Sequence, residues 1–126
     1  MHPLVILASL FGLLLTLAGA LGAHVIGAAD PAWNSAILFG FVHTLAALGA
    51  SDLPVAGRLK LVAGWTFLAG VGLFSFALIA RTAVRSLAAG DPAGGLAMAA
   101  PAGGLCFMAG WVLLALAGWR ARKTKT

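Results

Sequence analysis

The sequence predicts an all-α integral membrane protein, an antiparallel bundle of four transmembrane helices with both termini in the cytoplasm. Of the 126 residues, 62% are hydrophobic and only 9% are charged, whereas a soluble domain carries roughly a quarter charged residues. A transmembrane helix needs about 20 mainly apolar residues, and four such runs fill most of the chain. We therefore expect a single four-helix domain over residues 1–126.

The first predicted helix covers residues 3–23 and separates small from large side chains. One stripe consists of small residues at spacings of three and four, namely Ala8, Gly12, Thr16, Gly19 and Ala23. Small residues let helix backbones approach closely in lipid, so this stripe is predicted to pack against other helices. A cleaved signal peptide is the competing interpretation, because Ala18-Gly19-Ala20 resembles a cleavage site. No Lys or Arg precedes the run, however, and its apolar part is longer than a usual signal core.

The second predicted helix covers residues 31–50 and contains a histidine. Asp30 suits the N-cap and Pro31 suits the first helical position. The small side of this helix, predicted to face inward, carries Ala36, Gly40, His43, Ala47 and Ala50. The spacing therefore predicts that Gly40 packs closely and that His43 lies inside the bundle near mid-membrane.

The third and fourth predicted helices cover residues 59–80 and 101–119. The third is expected to continue as a charged extension through Arg85, before a glycine-rich break at residues 90–95. Residues 96–100 are apolar but few, and we expect them at the interface or re-entering beside the bundle. Pro101 suits the first position of the fourth helix, on which Gly103 and Gly110 share a predicted packing face.

The basic residues predict the orientation, because cytoplasmic flanks of membrane helices are rich in Lys and Arg. With four spans, the side shared by both termini carries Arg58, Lys60, Arg120, Arg122, Lys123 and Lys125. The other side carries Arg81 and Arg85. We therefore predict a multi-pass protein of the bacterial inner membrane whose basic tail, residues 120–126, binds lipid headgroups. Cations at helix ends do not form a nucleic-acid patch, so no nucleic acid is expected as a partner.

Two histidines are the candidate functional residues. An ionisable group inside a membrane is costly and often functional, so His43 could carry a proton or contact a ligand. The favoured interpretation is a structural bridge from the neutral ring to a helix carbonyl or to a hydroxyl such as Thr16, Thr44, Thr66 or Ser75. His24 is predicted at the outer interface, on the order of 15 Å or more from the depth of His43. This difference argues against a haem held by both histidines of one chain.

Other reactive sets are missing from the sequence. The three acids, Asp30, Asp52 and Asp91, fall in predicted loops, which weakens the interpretation as a proton-coupled exporter. Cys106 is the only cysteine and lies inside an apolar run. We therefore predict no enzyme, no metal site and no cofactor.

Four short stretches, taken in order, resemble a known family. They are Gly19-Ala-Leu-Gly-Ala-His24, Phe-Val-His43-Thr-Leu, Ala63-Gly64-Trp65 and Pro101-Ala-Gly103-Gly104-Leu. The chain resembles the YgdD/YwdK-like membrane proteins, domain of unknown function family 423, which also has small mitochondrial relatives. The resemblance implies a four-helix inner-membrane protein without an established activity, and its two histidine motifs correspond to His24 and His43.

Three functions fit these expectations. The leading one is a non-catalytic accessory or scaffold subunit that packs against a larger membrane complex, such as a respiratory or photosynthetic one. A homo-oligomer would cover the same small-residue faces. The alternative is a small homo-oligomeric transporter or channel with His43 in the pathway. A weaker alternative is a haem- or quinone-contacting subunit.

Overall fold

Helices account for all the secondary structure in the described residues. The computed structural model describes residues 2–26, 30–55, 57–88 and 95–123. The α-helices are α1 (His2–Leu21), α2 (Pro31–Asp52), α3 (Leu59–Val71), α4 (Ala77–Ala88) and α5 (Gly95–Lys123). A π-helical turn, Gly22–Ile26, continues α1, and a second, Gly72–Phe76, joins α3 to α4.

Four of the helical stretches are long and apolar enough to cross a membrane. These candidate spans are Pro3–Val25, Pro31–Asp52, Leu59–Leu87 and Met98–Lys123. For the described residues, this confirms the prediction of an all-α protein with four helices long and apolar enough to span a membrane. The third span is one continuous helix made of α3, the second π turn and α4.

The third span occupies the centre of the packing. α3 makes its most extensive contacts with α5 and α2, and α2 in turn packs on α1. Accordingly, the buried share of the apolar stretch is 39% for the second span and 44% for the third, but only 17% for the first and for the fourth. The buried apolar core consists of Leu4, Ala8, Leu15, Ala47, Phe67, Leu68, Val71 and Phe107.

The start and the inward face of α2 agree with the sequence. The Asp30 Oδ1 atom accepts a hydrogen bond of 3.0 Å from the Trp33 backbone N–H, and Pro31 opens the helix. This cap satisfies one of the first free N–H groups of the helix. The five residues predicted to face inward are all buried, namely Ala36, Gly40, His43, Ala47 and Ala50.

The packing face of α1 is rotated from the predicted small-residue stripe. Thr16 and Ala23 are exposed, while Leu4 and Leu15 are almost completely buried. The reason lies on the neighbouring helices, where glycines leave room for these leucines. A Cβ atom added to Gly40 would lie 2.7 Å from a methyl of Leu15, and one added to Gly64 would lie 2.7 Å from a methyl of Leu4. The close contacts therefore pair a leucine of α1 with a glycine opposite.

The third and fourth spans are longer than expected. The third continues to Ala88, and α5 begins at Gly95 and passes through Pro101. Residues 96–100 are thus helical rather than a separate interfacial or re-entrant segment. A proline in the second turn removes one backbone hydrogen bond, whereas an irregular segment in lipid would leave several backbone groups unsatisfied. Of the expected break at residues 90–95, only Gly95 lies within the described residues.

Candidate functional site

His43 lies on the inward face of α2 with both ring nitrogens engaged. Its side chain is 4% exposed. The Nδ1 atom is 2.8 Å from the Phe39 carbonyl oxygen, and the Trp111 indole N–H donates to Nε2 at 3.2 Å. An indole nitrogen can only donate, so Nε2 must be the acceptor. The proton of the imidazole is therefore on Nδ1, which donates to Phe39, and the ring is a neutral bridge between α2 and α5.

The sequence anticipated one of these two partners. A helix carbonyl was among the predicted partners of His43, and Phe39 confirms it. The hydroxyls considered as the alternative do not bond the ring: within the described structure, Thr44 and Ser75 are buried and make no side-chain hydrogen bond. Trp111 was missed because it is 68 positions away along the chain, and no local spacing connects it to His43.

Aromatic rings surround the imidazole. The ring of Phe107 stacks on His43 with centroids 3.7 Å apart and planes 11° from parallel. Phe39 is 6.0 Å from His43, with planes only 8° apart. The set, which we call the aromatic cluster, consists of Phe39, His43, Phe67, Phe74, Phe107 and Trp111. Because these rings come from α2, α3, the second π turn and α5, the cluster ties three spans together.

Glycines make room for the rings. A Cβ atom on Gly70 would lie 2.5 Å from the ring of Phe107, and one on Gly110 would lie 2.6 Å from the Phe67 Cδ1 atom. Gly103 meets backbone instead: its Cβ would be 2.8 Å from the Gly70 carbonyl oxygen. The predicted packing role of Gly103 and Gly110 therefore agrees with the structure.

A groove opens beside the aromatic cluster, and we call it the His43 groove. It has a volume of about 500 Å³ and is almost wholly apolar. Residues of α2, the second π turn and α5 line it, namely Phe39, Val42, His43, Phe74, Gly104, Phe107, Met108 and Trp111. A Cβ atom on Gly104 would meet no atom within 4 Å. The groove therefore brings the buried histidine to the edge of the helix assembly.

The glycine-rich stretch before His24 packs differently from the prediction. Nothing lies within 4 Å of a Cβ added to Gly12, and one added to Gly19 would be 3.9 Å from a methyl of Ile37. Gly22, which was not among the predicted packing residues, lies beneath Trp33: a Cβ there would be 2.7 Å from the indole Cδ1. The close approach in this stretch thus falls at the start of the first π turn.

The remaining candidate residues lie apart from the groove. His24 is exposed in the first π turn. In the basic tail, Arg120 and Arg122 are exposed, and the Lys123 ammonium lies 4.7 Å from the centroid of the Trp119 ring. Lys125 is outside the described residues. Among the residues that are described, no group of three or more His, Cys, Asp or Glu side chains could hold a metal ion.

Comparison with protein families shows which family the chain is related to. Residues 18–104 match the family described as "Protein of unknown function (DUF423)". The chain belongs to this family. The DUF423 match includes His24, His43 and the glycine pair Gly103 and Gly104, but it ends before Trp111. Comparisons with curated proteins and with solved structures give no match.

Proposed function

We propose that this DUF423 protein is a non-catalytic accessory or scaffold subunit that packs against a larger complex in the bacterial inner membrane. The observation that carries the proposal is the state of His43, the ionisable residue for which a structural bridge was weighed against a proton or ligand role. Both of its nitrogens are occupied by Phe39 and Trp111. A histidine used in this way stabilises helix packing, since its polar atoms are satisfied inside the protein.

The same hydrogen bonds disfavour the other functions considered for this chain. A histidine that ligates haem iron or relays a proton needs a free ring nitrogen, and both nitrogens of His43 are engaged. Carboxylates in the interior of a span commonly accompany proton transport. In the described residues, Asp30 caps the start of α2 and Asp52 is its exposed last residue, so neither lies in the interior of the second span. These features favour a packing role over transport.

The two outer spans supply the surface for a partner. The apolar stretches of the first and fourth spans are each only 17% buried, so both present most of their circumference to the surroundings. In lipid, helices associate through close packing rather than through hydrophobicity. Exposed alanines, such as Ala20 on α1 and Ala115 on α5, are positions where a partner helix could approach closely.

We further propose that the spans alternate in direction, with both termini in the cytoplasm. Arg58, Lys60 and the basic tail then lie on one side, opposite Arg81 and Arg85, in line with the positive-inside rule. A green fluorescent protein fused after Thr126 is expected to fluoresce, since it matures in the cytoplasm. A periplasm-dependent phosphatase at the same position is expected to be inactive. The opposite pair of results would overturn the orientation.

Native co-purification tests the scaffold role. The tagged chain, extracted from its own membranes in mild detergent, is expected to migrate well above 12.7 kDa with other membrane proteins or with copies of itself. Migration as a lone monomer would count against the proposal.

The two variants Ala20→Trp and Ala115→Trp test which outer helix meets the partner, because each adds bulk to one exposed face without entering the core. Loss of the complex in one variant alone identifies the outer helix that meets the partner.

A further inference from the structure

We propose that the hydroxyls of Thr44 and Ser75 jointly bind an internal water molecule between α2 and the third span. Both side chains are enclosed, with Thr44 2% exposed and Ser75 0% exposed. Within the described structure, neither hydroxyl has a hydrogen-bond partner in the protein. A buried hydroxyl without a partner is costly, above all where hydrocarbon surrounds the protein. The inference goes beyond the scaffold role, because it concerns a site inside the chain and holds with or without a partner complex.

Exposed hydroxyls of the same helices are satisfied by the backbone of their own helix. Thr16 donates to the Gly12 carbonyl oxygen, and Thr66 donates to the Val62 carbonyl oxygen, both at 2.8 Å. This local bond is an ordinary arrangement for a hydroxyl in the interior of a helix. The two buried hydroxyls depart from it, although they are far more enclosed. Their partner therefore belongs to the space between the helices that they face.

The two buried hydroxyls converge over Gly40. The Ser75 Oγ atom lies 2.8 Å from the position that a Cβ atom on Gly40 would occupy. Thr44 follows Gly40 by one turn on the same buried face of α2, about 6 Å along the axis. Because a helical Cα–Cβ bond tilts toward the N-terminus, the side chain of Thr44 leans toward Gly40. Two hydrogen bonds through one water span about 5 Å, which matches this separation.

The π turn Gly72–Phe76 gives Ser75 its unusual direction. Backbone hydrogen bonds in a π turn span five residues instead of four, so the carbonyls that a serine reaches in an α-helix are displaced. The Ser75 hydroxyl is thereby directed at α2. Methyls of Leu15 close the same space toward α1, at 2.7 and 3.0 Å from the Cβ position over Gly40. The site is therefore screened from the surrounding lipid.

Water fits this space better than a cation does. A water molecule accepts from both hydroxyls and donates in turn to a carbonyl oxygen of α2 such as that of Gly40, since a carbonyl has a second lone pair. These contacts give the roughly three hydrogen bonds that a buried water typically makes. A sodium ion also binds hydroxyl oxygens, but a charge inside a membrane needs a compensating partner. The two acids in the described residues, Asp30 and Asp52, lie at opposite ends of α2.

Water-edited solid-state NMR of the chain in phosphatidylcholine vesicles tests the site directly. The method follows the transfer of magnetisation from water protons to the carbon signals of labelled serine and threonine. Transfer to the Cβ atoms of Thr44 and Ser75 is expected to be several times faster than transfer to Thr16. Thr16 is the matched control, because it is exposed near the middle of the first span and lies next to Leu15. Equally slow transfer to all three residues would overturn the proposal.

Exchanging threonine for valine gives a test by the sign of the stability change. Thr44→Val keeps the shape of the side chain and removes its hydroxyl, and Thr16→Val makes the same exchange on the exposed side of α1. Thr44→Val is expected to raise the equilibrium constant of unfolding about tenfold, because the water loses one of its partners. Thr16→Val is expected to change it by less than about threefold. Removing a hydroxyl without any partner leaves the constant unchanged or lowers it, and that result for Thr44→Val would refute the water site.

A double variant shows whether the two hydroxyls share one water. Ser75→Ala is expected to raise the unfolding constant about as much as Thr44→Val, and the combination is expected to do little more than either change alone, since one water is lost once. Effects that multiply would mean two separate contributions and would contradict the joint site.

The conservative variant Thr44→Ser keeps a hydroxyl at position 44 and distinguishes water binding from packing. Fast magnetisation transfer to Ser75 is expected to persist in Thr44→Ser and to slow in Thr44→Val. Equal transfer in these two variants would show that the hydroxyl of residue 44 holds no water. Replacing choline chloride by sodium chloride is expected to leave the Thr44 and Ser75 signals unshifted in the parent chain. A shift of both signals would indicate a bound cation and would overturn the assignment to water.

Discussion

Gly103 and Gly104 are adjacent in α5, yet the same substitution is expected to affect them in opposite directions. A Cβ on Gly103 would lie 2.5 Å from the Phe74 backbone nitrogen and 2.8 Å from the Gly70 carbonyl oxygen. These are backbone atoms of the facing span, so no change of rotamer relieves the contact. A Cβ on Gly104 meets nothing within 4 Å. The difference in unfolding free energy between the two alanine variants therefore measures how much the close contact at position 103 destabilises the fold.

The magnitudes follow from two opposing effects. Replacing glycine by alanine inside a helix gains about 1 kcal/mol of helix propensity, and this gain is common to both positions. Forcing an extra carbon into a packed interface costs about 1–3 kcal/mol, and only Gly103→Ala incurs it. With the upper part of that range, Gly103→Ala is expected to be about 2 kcal/mol less stable than the parent chain. Gly104→Ala is expected to be up to about 1 kcal/mol more stable.

Unfolding in mixed micelles of mild detergent and dodecyl sulfate measures this difference. Helix content by circular dichroism gives the free energy of unfolding of each variant under the same conditions. The order of stability is expected to be Gly104→Ala, then the parent chain, then Gly103→Ala. If Gly103→Ala proved as stable as Gly104→Ala, the close backbone approach of α3 and α5 would be incorrect.

Three further contacts are tested by the same unfolding measurement. Gly40→Leu is expected to lower the free energy of unfolding by about 3 kcal/mol, because its side chain would enter space filled by Leu15. Gly19→Leu, with its nearest contact at 3.9 Å, is expected to change that free energy by less than about 1 kcal/mol. Equal losses of stability in the two variants would contradict the α1–α2 packing. Trp111→Phe removes the hydrogen-bond donor to the His43 ring and is expected to lower the free energy of unfolding by about 1 kcal/mol. An unchanged free energy of unfolding would show that the 3.2 Å hydrogen bond does not stabilise the fold. Asp30→Ala removes the side chain that caps α2 and is expected to cost about 1 kcal/mol, whereas Asp30→Asn keeps an accepting oxygen and is expected to retain most of that stability.

Much of the fold was predictable because hydrophobic length and helical periodicity depend on local sequence alone. The four spans and the inward face of α2, with Gly40 and His43 on it, follow from residue spacing. The face of α1 did not follow in the same way. Leu15 is buried because Gly40 lies opposite it, and the relative depth of two helices is not contained in the period of either one.

Only the part of the candidate site that lies on α2 was predictable from the sequence. His43 was identified because an ionisable residue at mid-span is unusual, and a carbonyl partner in the preceding turn is a local possibility. Trp111 and Phe107 come from the last span, and their contacts with His43 exist only after α3 has packed on both neighbours. The groove between these residues is a property of the assembled helices, so no single segment of the sequence indicated it.

The unequal lengths of the spans have a consequence for the surrounding bilayer. The second span has 22 residues and the third has 29, which correspond to about 33 Å and about 43 Å of helix, against a hydrocarbon layer of about 30 Å. The third span must therefore tilt strongly or extend into the headgroup region with Arg81 and Arg85 near its end. Bilayer thickness thus sets how deeply α4 is immersed. A thicker membrane draws these arginines toward hydrocarbon, and the resulting mismatch energy favours membranes of matching thickness for this protein.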